Sequence, residues 1–126
     1  MFIEVELIDH QNHQIVYKGK ANMELTHQGH HYRFGNQDHS FFWKAYDGAL
    51  IIDSVGTSHA HLILQKGKKT KGWFKTEFGE INLHCHTSLY TIDNHCIEVR
   101  YTLDMEGHIQ TFHFTLRIKE ADYAVH

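Results

Sequence analysis

The sequence predicts an all-β chain: one antiparallel meander of about eight to ten short strands, closed into a barrel. Three observations lead there. Apolar and polar residues alternate along long stretches of the chain, the pattern of strands with one face buried. Dipeptides suited to tight hairpins separate those stretches. No segment long enough for a helix shows an apolar period of about 3.6 residues, and proline is absent.

Residues 2–8 open the series, alternating from the start as Phe2-Ile3-Glu4-Val5-Glu6-Leu7. Further strands are expected over 14–26, 32–35, 40–46, 49–55, 59–65 and 72–78, punctuated by Gly29, Asn36-Gln37, Asp47-Gly48, Gly56 and Gly67. A bend at Phe78-Gly79 leads into a strand beginning at Glu80, where the alternation is clearest. Ile81, Leu83, Cys85, Thr87 and Leu89 share one face there, and Asn82, His84, His86 and Ser88 share the other. After Asp93-Asn94 the pattern returns as Ile97, Val99, Tyr101, Leu103 and Met105. After Glu106-Gly107 it returns again as Phe112, Phe114, Leu116 and Ile118. Connections this short make sequence neighbours antiparallel. Residues 120–125 leave room for one C-terminal turn of helix. So many hairpin-linked strands must either stack as two sheets or close up so that few edges stay exposed. Closure is favoured; a β-sandwich is the alternative that periodicity alone does not separate.

At 126 residues the chain has the size of one domain with one core, spanning 1–126. A formal charge of −3 argues against broad binding to nucleic acid or to an anionic membrane. The acidic residues near the N-terminus suit a strand and not a signal peptide, and no apolar run is long enough to span a bilayer. Cys85 and Cys96 are too few for a disulfide framework. Free thiols in the cytoplasm are the expectation.

From Gly67 onward the pattern becomes more specific: Trp73-Phe74, then Thr76-Glu77-Phe78-Gly79-Glu80-Ile81-Asn82-Leu83, then Thr87 and Leu89. This resembles the YwiB-like family of small bacterial proteins. Gly56 with Leu62-Ile63-Leu64, and Val99-Arg100-Tyr101-Thr102-Leu103, fall where that family places strands. The resemblance covers nearly the whole chain. It implies a calycin-like, lipocalin-like β-barrel and carries no particular activity.

Histidine is unusually frequent, at 14 of 126 residues. His59 with His61, and His84 with His86, each place two imidazoles on one strand face, a spacing that suits metal ligation. Random placement at this frequency gives roughly 1.5 such pairs, so their number alone argues for a structural or surface role. No short-range cysteine or carboxylate ligand supports them, because Cys85 points to the opposite face from His84 and His86. Cys85 itself reads as an inert core thiol. The segment Lys66-Gly67-Lys68-Lys69-Thr70-Lys71-Gly72 lacks the closing Lys-Ser/Thr of a phosphate loop and reads as a solvated hairpin tip.

Aromatic residues point elsewhere. Tyr32, Phe34, Phe41, Phe42, Trp43, Tyr46, Trp73, Phe74 and Phe78 crowd the central strands, more than one core face needs. Phe41, Trp43, Trp73 and Tyr101 are the candidate ligand-binding residues, since small barrels can keep a cavity near one end. The leading expectation is a non-enzymatic barrel that holds a small, partly apolar molecule. The alternatives are a His-dependent zinc or haem protein through His59, His61, His84 and His86, and an interaction module that self-associates. Monomer and homodimer are both open, and no nucleophile, nucleic-acid or membrane partner is indicated.

Overall fold

The computed structural model describes residues 1–119, so the expected C-terminal helical turn lies outside the described residues. Ten strands follow in chain order: β1 (Phe2–Asp9), β2 (Gln14–Leu25), β3 (Gly29–Gly35), β4 (Ser40–Tyr46) and β5 (Ala49–Val55). The second half comprises β6 (His59–Gln65), β7 (Lys69–Thr76), β8 (Gly79–Ile92), β9 (Cys96–Met105) and β10 (His108–Lys119). Each pairs antiparallel with its sequence neighbour, and β10 returns to β1 through pairs such as Val5 with Ile118 and Leu7 with Leu116. The ring is closed. That closure gives every strand a neighbour on both sides and excludes the two-sheet alternative. No helix among the described residues is long and apolar enough to cross a membrane.

Two strands begin earlier than the sequence suggests. β3 starts at Gly29 because Thr26 closes the preceding turn at once: its backbone N–H donates to the Gly29 carbonyl at 2.8 Å, and its hydroxyl accepts from the Gly29 N–H at 3.0 Å. β7 starts at Lys69 because Lys66-Gly67-Lys68 already completes the reversal, with Gly67 at φ +74° and the Lys68 N–H donating to the Gln65 carbonyl. Lys69 and Lys71 therefore stand on a strand, opposite His86 and His84 of β8.

A second departure lies in β8. Thr87 pairs with Tyr101 but Leu89 pairs with Arg100, so Ser88 is the extra residue of a bulge. Alternation restarts there. Leu89, expected on the core face, turns outward beside Arg100, and Tyr90 enters the barrel at 4% exposure. The Tyr90 hydroxyl donates to the Tyr46 carbonyl at 2.6 Å, tying β8 to β4 across the base.

Because the meander alternates direction, five of its nine turns gather at one end and four at the other. At one end, here the base, the interior is filled by Ala45, Leu50, Leu64, Ile97, Val99 and Leu116 around Tyr32 and Tyr90. The other end, the mouth, carries turns 10–13, 36–39, 56–58, 77–78 and 106–107, and its interior is not filled.

Candidate ligand-binding cavity

Inward positions on β4, β5, β6, β9 and β10 place large apolar side chains at the mouth end. They enclose a half-open cavity of about 430 Å³. Phe41 and Trp43 of β4 form one wall, with Ile52 of β5 and Leu62 of β6 beside them. Tyr101 and Leu103 of β9 face them with Phe112 and Phe114 of β10, and Phe74 of β7 and Leu83 of β8 complete the circuit. The rings brace one another: Tyr101 stacks on Phe112 at 5.4 Å between centroids, and Phe41 on Phe34 at 5.1 Å. Gly72 keeps this wall thin, since a Cβ there would stand 2.5 Å from the His61 carbonyl oxygen. The Trp43 indole Nε1 is buried and finds no partner among the described residues.

Polar groups cluster at the rim. The Ser54 hydroxyl and His39 Nε2 lie 2.6 Å apart, and the His39 ring stacks on Phe41 at 4.3 Å. Gln110 stands on β10 at the same end. Asp9 ends β1 facing inward, 6% exposed, and its carboxylate accepts the Gln11 and Asn12 backbone N–H groups and the Asn12 side-chain amide. Tyr101 feels this carboxylate: burial first, then Cys85 and Asp9, push its phenol well above the usual range.

The four aromatic candidates do not stay together. Phe41, Trp43 and Tyr101 stand in the cavity wall. Trp73 does not: Gly72 pairs with Leu62 and so faces inward, which turns Trp73 to the outer surface opposite His61 and Asn82. Phe74, one residue on, takes the inward place. Asp9, His39, Ser54 and Gln110 escaped sequence reasoning. For Asp9 a signal existed, because it continues the inward series Ile3, Val5, Leu7 with an acid where an apolar residue belongs.

The histidine pairs remain apart. His59 and His61 lie on the outside of β6, where His61 Nδ1 is 2.8 Å and His59 Nε2 3.0 Å from the same Asp53 oxygen. Both rings lean on Trp73, at 4.6 Å and 5.4 Å between centroids. Burial raises the Asp53 carboxyl, but the hydrogen bonds from His61 and His59 outweigh it and hold the group below its ordinary value. His84 and His86 are exposed on β8, with β7 between them and the first pair, facing Lys71 and Lys69. Among the described residues no three His, Cys, Asp or Glu side chains are gathered as a metal needs them. Cys85 is buried in the core, and burial pushes its thiol up.

A family model described as Domain of unknown function (DUF1934) matches residues 8–118. The chain is also similar to a solved structure, the ywiB protein from Bacillus subtilis, with a TM-score of 0.67 at 13% identity over 95% of this chain and 89% of that one. At that identity the likeness speaks for the fold alone. No curated protein matches.

Proposed function

We propose, from the premise that the chain belongs to the family described as Domain of unknown function (DUF1934), that this barrel is a binding protein for a small, largely apolar molecule. One observation carries the reading: an unfilled cavity of about 430 Å³ with aromatic and aliphatic walls, opening at one end of an otherwise packed barrel. Folding fills interiors to near crystal density, so a void of this size forfeits packing that larger side chains would supply. Its size lies within the range of ligand pockets, roughly 300–1,000 Å³. A ligand would recover those lost contacts.

The chemistry favours holding over transforming. Ser54 and His39 form a hydroxyl–imidazole pair at the rim of the cavity, but a nucleophile also needs its base oriented by a third group. No carboxylate among the described residues is hydrogen-bonded to His39. In this reading the pair offers a ligand a donor and an acceptor.

Equilibrium dialysis against the neutral dye N-phenylnaphthylamine tests the proposal. Saturable uptake at one site is expected, and Ala60→Phe, which extends a ring into the wall from β6, should weaken it at least tenfold while the fold persists. Absence of saturable uptake by the unmodified protein, or unchanged affinity in a folded Ala60→Phe variant, would overturn it.

A further inference from the structure

The cavity wall carries one buried formal charge. Asp9 faces inward at the end of β1 and is 6% exposed. Its three hydrogen bonds come from two backbone amides and the Asn12 side-chain amide, all neutral donors. They orient the carboxylate and leave its charge in place. No ion pair involves Asp9 among the described residues, and neither lysine nor arginine lines the cavity. A charge at an apolar boundary is costly unless an opposite charge meets it.

The rest of the wall points the same way. Phe41, Trp43, Phe74, Tyr101, Phe112 and Phe114 surround the space with aromatic rings, whose faces attract cations and repel anions. An anionic amphiphile would bring its headgroup toward Asp9 with no fixed cation to receive it. An ammonium group would meet a carboxylate at the rim and aromatic faces below, with its apolar body against Leu62, Leu83 and Leu103.

We infer that the ligand of this cavity is a small cationic amphiphile: an organic amine or quaternary ammonium whose headgroup pairs with Asp9 and whose apolar body fills the aromatic chamber. This rests on the binding-protein reading and assigns the charge of what is bound.

Calorimetric competition against the bound dye separates the two claims. Octylamine, octanol and octanoate share one chain length and differ in charge. Octylamine should displace the dye at least tenfold better than octanol, and octanoate should be weakest. Asp9→Asn keeps a carbonyl acceptor for the turn amides and removes the charge, so it should bring octylamine down to the level of octanol measured in the same variant. If Asp9→Asn does not fold, Gln110→Lys leaves the turn intact and supplies a competing cation at the same rim. It should lower the octylamine preference and raise octanoate. Octanol matching or exceeding octylamine in the unmodified protein would overturn the cationic assignment and leave the cavity reading standing. If none of the three displaces the dye, the cavity reading falls with it.

Discussion

The base and the mouth of the barrel are cut from the same ten strands, yet they fill their interiors differently. At the base, Leu50 and Leu64 face each other across β5 and β6 with 0% and 1% exposure, and Ala45, Val99 and Leu116 close around them. At the mouth the inward residues are larger, but they are held apart as walls, and apolar side chains also reach the rim. Phe78 at the tip of the β7–β8 turn is 91% exposed. Bulky residues do not by themselves make a core. Small and branched residues interdigitate at the base, whereas stacked rings at the mouth support one another and leave the centre open.

Truncation should expose the contrast most strongly. Leu50→Ala removes a fully buried side chain and is expected to cost about 3 kcal/mol of stability. Met105→Ala, at the rim, should cost less than about 1 kcal/mol. Urea unfolding of the two variants measures both, and equal losses would mean that the mouth is packed as tightly as the base.

Alkaline titration comes next. Burial pushes the Tyr32 phenol at the base up to about 12, and burial with the neighbouring Tyr32 raises Tyr90 further. A phenol with a raised folded pKa contributes stability that is complete below its unfolded value, about 10. That contribution is lost as pH rises from there through the folded value of about 12. Tyrosinate absorbance and far-ultraviolet circular dichroism should therefore change together between about pH 10 and 12. Ionisation of Tyr32 well before the fold is lost would show the base to be looser than its packing implies.

The smallest effect belongs to the outer wall. Asp53 is held below its ordinary value, so its contribution is present above about pH 4 and is lost as pH falls through the folded value. The pairs with His59 and His61 are partly exposed. Asp53→Asn should cost only about 0.2–1 kcal/mol at neutral pH and less in acid. Chemical denaturation at two pH values checks this, and a larger penalty in acid than at neutrality would contradict the sign.

Strand number and antiparallel order were legible because turn chemistry and alternation are local properties, whereas closure, which pairs the two ends of the chain, was favoured only by the need to hide edges. The inward placement of Phe41, Trp43 and Tyr101 followed from alternation in clean strands. Where a strand carries an irregularity the reading broke down. Ser88 shifts the parity of β8, so Leu89 and Tyr90 exchange places, and Lys71-Gly72-Trp73-Phe74 holds no alternation strong enough to say that Trp73 faces out. The meeting of Asp53 with His61, and the separation of both from His84 and His86, depend on register between strands that only the closed barrel sets.

The parity that turned Trp73 outward leaves the protein with its two tryptophans on opposite faces of the barrel sheet, Trp43 inward on β4 and Trp73 outward on β7. Trp43 looks onto the chamber, and Trp73 lies against two imidazoles in contact with solvent. Their light emission is thereby divided by topology. A molecule entering the barrel changes the surroundings of Trp43, while protonation of His59 or His61, whose charged rings quench an indole, acts on Trp73. The barrel carries separate optical gauges for its inside and its outside, and replacing either indole with phenylalanine leaves the other to be read alone.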